Sequence, residues 1–201
     1  GTKSIKAWFA VNYDPGESPS VADPANTNLY LNGTEISNSK PGSNNLSLEF
    51  VNGVTSDFPI TLADSAEILS IEFEHDDGVS ATPLLSGNMS TAFVSAPESI
   101  ELSVPTASNC ASPYTACTKF ANVDQDFAMQ ARAVCSGSPS ATALSYISAS
   151  QISLVSNLIA PTTGVNASLA ISNMDFSATD NGSISLSNQQ IDEVGVFSIS
   201  T

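Results

Sequence analysis

The chain has 201 residues and a formal net charge of −15, with only 5 Lys and Arg residues against 20 Asp and Glu residues. This balance excludes a basic surface for nucleic acid or for anionic membranes, because such surfaces need clustered cations beside the phosphates. No apolar run approaches the ~18 residues of a membrane-spanning helix, so no membrane insertion is expected. Hydrophobic residues make up 41% of the chain and charged ones 12%, which is typical of a globular protein built from strands and polar turns.

The first half of the chain alternates apolar and polar residues in short segments, a pattern that predicts β-strands with one buried face. Predicted strands cover residues 5–13, 29–31 and 46–50, and a closing strand follows Asp64. In the first of them Ile5, Ala7 and Phe9 are predicted to face inward. In the last, Leu69, Ile71 and Phe73 are predicted to face inward, which leaves Glu72 and Glu74 outside.

Trp8 falls on the outer face of the first predicted strand. An outward Trp favours a role as edge cover or as a contact with a neighbouring module. The alternative is a stacking platform for a sugar ring, which would make Trp8 a ligand-binding residue.

Two stretches repeat the same order of features. Asn52-Gly53 and Asn181-Gly182 are each followed by apolar alternation, a single Asp and a closing strand. Asn-Gly is a strong hairpin signal, because both residues tolerate a positive φ. The repeat predicts an all-β protein of two tandem Ig-like antiparallel β-sandwich domains of about 100 residues each, with little helix. We place their boundary near residue 89, giving domains over 1–89 and 90–201.

An acidic run precedes this boundary. Glu74, Asp76 and Asp77 place three carboxylates within four residues, followed by Gly78. Such oxygens are the ligands that Ca²⁺ prefers, so the run is a candidate metal site that could stiffen a domain junction. The competing interpretation is a solvated turn, which we favour because the spaced Asp-x-Asp-x-Asp-Gly ligand order is missing. No cofactor is otherwise expected.

The three cysteines all lie in the second half. Cys135 shares the predicted inward face of the strand over residues 127–135, which marks it as a buried thiol. Cys110 and Cys117 flank a loop, and their spacing does not fit a zinc site. We therefore predict a disulfide between Cys110 and Cys117, which implies an oxidising compartment.

Enzymatic activity is not expected. A hydrolytic triad needs a His, and the single one, His75, sits in the acidic run without a Gly-x-Ser-x-Gly motif. Paired carboxylates occur, but the aromatic walls of a glycosidase site are scarce. No catalytic residue is assigned.

Several short segments of the second half together form a recognisable set. They are Phe93 to Pro97, Phe120-Ala121-Asn122, Phe127 to Val134, Thr142 to Tyr146 and Asp192 to Phe197. They resemble the uncharacterised C-terminal domain of MshQ-like proteins, which are encoded with the mannose-sensitive haemagglutinin (MSHA) type IV pilus of Gram-negative bacteria. The resemblance covers about residues 90–201, and residues 4–77 look like the Ig-like segment that commonly precedes this domain.

The resemblance implies an exported, pilus-associated surface protein, of which this chain is a truncated inner piece. The function expected is that of a non-enzymatic structural or adhesive segment at the extracellular surface. Its partners would be other domains of the same protein or pilus components. The alternative is a carbohydrate-binding module that binds host or environmental glycans directly.

Overall fold

The computed structural model describes residues 1–11, 28–62, 64–75, 85–89, 91–104, 110–136 and 141–201. These residues form antiparallel β-sheets joined by turns, and none of them lies in a helix. It follows that this part of the chain has no helix long and apolar enough to cross a membrane. The predicted all-β class is confirmed, and the sheets are arranged as expected for β-sandwiches.

The first group of sheets contains the following strands: β1 (Thr2–Val11), β2 (Leu29–Leu31), β3 (Thr34–Ile36), β4 (Leu46–Val51), β5 (Val54–Thr55), β6 (Ile60–Leu62), β7 (Ala66–His75), β8 (Leu85–Asn88) and β9 (Phe93–Ser95). In the larger sheet β1 pairs with both β4 and β7. β5 extends this sheet beyond β4, while β8 and β9 both pair with β7. The smaller sheet has the order β3-β2-β6.

The inward side chains of both sheets form one apolar core. Its buried members are Ile5, Ala7, Phe9, Leu29, Leu31, Ile36, Leu46, Leu48, Ala66, Ile68 and Ile71. The predicted inward phase of β1 is confirmed, because Ile5, Ala7 and Phe9 are all buried. Alternation sets this phase, since successive side chains of a strand point to opposite faces.

A β-bulge changes the phase of β7. Ala10 is paired with Ser70 and Val11 with Ile68, so Leu69 has no partner on β1. The extra residue shifts the alternation on one side of the bulge. Ile68 is fully buried while Leu69 is 45% exposed. The prediction that Leu69 faces inward is therefore wrong, whereas Ile71 is buried as predicted.

The second group of sheets contains these strands: β10 (Ser99–Ser103), β11 (Phe127–Val134), β12 (Ile152–Ser153), β13 (Val155–Ala160), β14 (Asn173–Met174), β15 (Ser183–Gln189) and β16 (Val196–Ser200). β11 lies between β10 and β15 in one sheet. β12 pairs with β14, and β13 pairs with β16.

A separate apolar core lies under these strands. Its buried members are Met129, Ala131, Ala133, Cys135, Ala143, Leu154, Met174, Phe176 and Leu186. The predicted inward face of β11 is confirmed, with Met129, Ala131 and Ala133 at most 2% exposed. Gln189 is also fully buried, and its side-chain amide bonds both the N–H and the C=O of Ile171.

The change from one core to the other falls between β9 and β10. β9 pairs with β7, and its Phe93 packs against the first core. Ile100 of β10 packs against the second core. The predicted boundary near residue 89 lies before β9, so the pairing of β9 places the change of core later in the chain.

The Asn-Gly turns of the proposed repeat differ in what they connect. Both residues have a positive φ in each pair: 53° and 83° at Asn52-Gly53, and 48° and 67° at Asn181-Gly182. The first pair joins β4 to β5 as the predicted hairpin. The second leads into β15, which pairs with β11 rather than with the preceding strand. The hairpin prediction is therefore wrong there, because the local turn is present but its strand finds a distant partner.

Candidate functional site

Trp8 lies half-buried on the outer face of β1, opposite Glu72 of β7. The loop after β3 passes beside it, and the Phe9 amide donates a 3.0 Å hydrogen bond to the Ser37 carbonyl. From this loop Lys40 places its Nζ 5.5 Å from the centroid of the Trp8 ring. This is cation–π range, so the ring already has a cation as a neighbour.

Lys40 also holds Glu74, on the same outer face. Its Nζ lies 2.6 Å from Glu74 Oε2, and Lys6 Nζ lies 3.7 Å from Glu74 Oε1. Glu74 is outward on the strand, as predicted, yet only 7% exposed. The two lysines surround its carboxylate and compensate part of the cost of burying a charge.

Of the three carboxylates in the acidic run, Glu74 is described, whereas Asp76 and Asp77 lie outside the described residues. Glu74, the member that is described, directs its carboxylate at two ammonium groups rather than at a shared metal position. Within the described ranges, no group of three or more His, Cys, Asp or Glu residues is placed to hold a metal ion. Calcium binding by Glu74, Asp76 and Asp77 stays a hypothesis.

A buried polar junction joins the two groups of sheets. Asp64, between β6 and β7, is 1% exposed, and Ser145, in the loop before β12, is 6% exposed. Asp64 Oδ1 accepts a 2.9 Å hydrogen bond from the Ser145 amide, and Asp64 Oδ2 accepts one of 2.9 Å from the Ser145 hydroxyl. The Ser65 amide donates a third to Oδ1, at 2.7 Å. A carboxylate of the first group therefore serves as the acceptor for a loop of the second.

Ser65 and Ser95 fix the position of Asp64. The Ser65 hydroxyl donates to the Ser95 carbonyl at 3.2 Å, and the Ser95 hydroxyl donates to the Asp64 carbonyl at 2.9 Å. Ser95 ends β9, the last strand before the change of core. The chain therefore leaves the first group of sheets next to Asp64, the residue that bonds the Ser145 loop of the second group.

The cysteines are placed as predicted. Cys110 and Cys117 form a disulfide, and Cys135 is a buried free thiol. Burial raises the pKa of the Cys135 thiol above its ordinary value, and the nearby Asp64 carboxylate raises it further. Burial also raises the pKa of Tyr146, next to Ser145. Both groups are therefore held in the neutral form, and a neutral buried thiol is unreactive.

A cleft of about 600 Å³ lies between the disulfide loop and β16. Phe120 and Phe127 stand edge to face in its wall, with ring centroids 5.0 Å apart. Phe197 of β16 also lines the cleft, and the charged residues among its described lining are Lys119 and Glu193. Its volume and aromatic lining fall within the range of ligand-binding clefts, about 300–1,000 Å³.

Comparison of the chain with protein-family models, with curated proteins and with solved structures finds no match. The relation to MshQ-like proteins stays a prediction.

The arrangement brings together only some of the residues that the sequence indicated. Trp8 and Glu74 share one outer face, whereas the Cys110–Cys117 disulfide borders a cleft in the other group of sheets. Sequence reasoning missed the Asp64–Ser145 junction. The one available signal was an isolated Asp at the start of an apolar strand, where a charge needs a partner if it is buried.

Proposed function

We propose that this chain is a non-enzymatic structural or adhesive segment of a large exported, pilus-associated bacterial surface protein. The observation that carries the proposal is the Asp64–Ser145 junction. A segment that spaces or presents other domains at a cell surface has to keep its own parts in a fixed relation. The buried Asp64 carboxylate accepts two hydrogen bonds from Ser145, which are directional bonds between two separately cored groups of sheets that a flexible linker would not supply.

The disulfide supports an extracellular location, because such bonds persist in oxidising compartments. Tandem Ig-like domains remain part of this proposal. The two separate apolar cores fit two sandwich modules in series.

The test of stiffness is a distance distribution between spin labels, one in each group of sheets, measured by pulsed electron paramagnetic resonance. Ser47→Cys and Ser198→Cys provide exposed attachment sites, on a Cys135→Ala background. We expect one narrow distribution that broadens in Asp64→Ala and stays narrow in Asp57→Ala, a control at an exposed Asp. A broad distribution in the otherwise unchanged chain would contradict the proposal.

The test of location is antibody labelling of the producing bacterium. Antibodies against the folded chain should label intact cells, and a pilus preparation should carry the antigen. Labelling that requires permeabilised cells would refute the surface assignment while leaving the stiffness result intact.

The second candidate function is direct binding of glycans, and the position of Trp8 favours it. A half-exposed indole next to a lysine and two carboxylates offers both stacking and hydrogen bonding to a sugar. A glycan array should then give binding that is lost in Trp8→Ala and kept in Tyr30→Ala. Tyr30 is the matched control, since it is a half-buried aromatic on an outward position of β2. Binding that survives Trp8→Ala, or no binding at all, would remove this candidate.

A further inference from the structure

The free edge of β16 borders the aromatic cleft. β13 pairs with one edge of β16. The cleft is lined by Gly195, Val196 and Phe197, and no residue of β13 lines it. The cleft therefore lies away from β13, on the side where the described part of the chain places no strand against β16.

The hydrogen bonding of β13 shows which backbone groups of β16 point to this side. The Leu158 amide donates to Asn166 Oδ1 at 2.7 Å, so it points away from β16. In an antiparallel pair, a residue whose amide points outward belongs to a pair that exchanges no hydrogen bonds. Leu158 is paired with Phe197. The N–H and C=O of Phe197 therefore also point outward, and so do those of Ile199, two residues further on.

The side chains beside this edge are apolar. Phe120, Phe127, Val196 and Phe197 are half-buried, and Val194 is 80% exposed. A strand edge with unpaired backbone groups next to apolar recesses is the arrangement that binds an extended peptide as an added strand. The backbone bonds give affinity, and pockets for alternate side chains give specificity. β16 offers five residues, about 17 Å of edge.

The charges near the cleft determine which peptide fits. Glu193 lines it, and the exposed Asp124, Asp126 and Asp192 lie on the segments that flank it. Lys119 is the one cation among the described lining residues. A surface with this excess of carboxylates attracts cationic partners and repels anionic ones.

We propose that the free edge of β16 and the adjoining Phe120–Phe127 cleft bind an extended cationic peptide segment of a partner protein by β-strand addition. The site does not depend on the function proposed above, because it lies in the second group of sheets and uses neither Trp8 nor the Asp64 junction.

The probe is a labelled peptide, Lys-Val-Thr-Val-Thr-Val-Lys, titrated with the full chain and followed by fluorescence anisotropy. We expect saturable binding, and weaker binding of the same peptide with glutamate at both ends. Glu193→Lys should weaken the lysine peptide and strengthen the glutamate peptide. Glu49→Lys is the matched control, because Glu49 is an exposed glutamate of β4 and its replacement changes the net charge equally. Equal effects of the two substitutions would overturn the proposal.

Strand addition is tested by a single backbone N-methyl group, placed on the central valine in one peptide and on the preceding threonine in another. Adjacent amides point to opposite edges of a strand, so one modified peptide should lose a bond to β16 and the other should not. We expect one of them to bind about two- to tenfold more weakly, the range for one hydrogen bond. Equal affinities of both modified peptides would overturn the proposal.

The apolar contribution is tested at Val194, where Val194→Ser should weaken binding while Val51→Ser, at an exposed valine of β4, should not. Sedimentation velocity identifies the other occupant of a strand edge, a second copy of this chain. A dimer to which the lysine peptide does not bind would assign the edge to self-association and overturn the proposal.

Discussion

Replacing Asp64 by Ala should uncouple the two groups of sheets. The substitution removes the acceptor for the Ser145 amide and for the Ser145 hydroxyl, both at 2.9 Å. Ser145 is only 6% exposed, so water has little access to the two donors. Each buried donor left without an acceptor costs about 1–3 kcal/mol. For the two Ser145 donors the expected loss is therefore about 2–6 kcal/mol. The Ser65 amide, which also donates to Asp64 Oδ1, adds to this loss, and Asp64→Asn, which keeps one acceptor oxygen, should lose less.

The chain carries its own probes for this measurement. Trp8 is the only Trp and lies on β1, so its fluorescence reports the first core. Cys135 is buried in the second core, so its reaction with a thiol reagent reports that core. In urea, the two signals should change together in the unmodified chain. In Asp64→Ala they should separate, because each core then unfolds at its own denaturant concentration.

Two further variants isolate the interaction. Ser145→Ala removes the hydroxyl alone, and combined with Asp64→Ala it should cost less than the sum of the single effects, because both changes remove the same bond. Asp57→Ala, at an exposed position, should leave both transitions in place. Two signals that are already separate in the unmodified chain, with Asp64→Ala no different from Asp57→Ala, would refute the reasoning.

Three other outcomes are expected. In thermal melts, Gly182→Ala should destabilise the chain more than Gly53→Ala. Both sites have a positive φ, which costs about 1–2 kcal/mol for Ala, but only at Gly182 is there a clash: the new Cβ would lie 2.2 Å from the Ala143 carbonyl oxygen, whereas at Gly53 nothing lies within 4 Å. Ile71→Ala should cost about 2–5 kcal/mol in urea, whereas Leu69→Ala should stay within about 0.5 kcal/mol; equal losses would contradict the bulge. The free energy of unfolding should fall as the pH rises past 9.0, the ordinary pKa of a Cys thiol, because the unfolded chain releases the Cys135 proton more readily than the folded one. Cys135→Ala should make this fall smaller, and a variant with the same pH profile as the unmodified chain would contradict the prediction.

Local patterns predicted the elements whose physics is local. The inward faces of β1 and β11 follow from alternation, and the positive φ values at Asn52-Gly53 and Asn181-Gly182 follow from the tolerance of these two residue types. The Cys110–Cys117 disulfide closes a short loop, so its partners were close along the chain.

Patterns failed where a distant segment decided the outcome. Leu69 matches the apolar alternation of its neighbours, yet the pairing of β7 with β1 adds a residue at that point and turns its side chain outward. The sequence predicts a solvated charge at Glu74, but its carboxylate forms ion pairs with Lys6 of β1 and Lys40 of the loop after β3. The turn at Asn181-Gly182 reads as a hairpin, but β15 pairs with β11 instead.

The sequence by itself determined that the protein is acidic and all-β, with enough alternating strands to form two apolar cores. Side-chain periodicity and turn chemistry act over a few residues, so the sequence records them directly. Only the tertiary structure decided how these strands pair and what joins the cores. Asp64 and Ser145 are 81 residues apart in the chain, and nothing near either residue specifies the other. The cleft beside β16 likewise exists only because the disulfide loop and the last strand meet. Contacts of this kind depend on which surfaces are packed together, which no local pattern records.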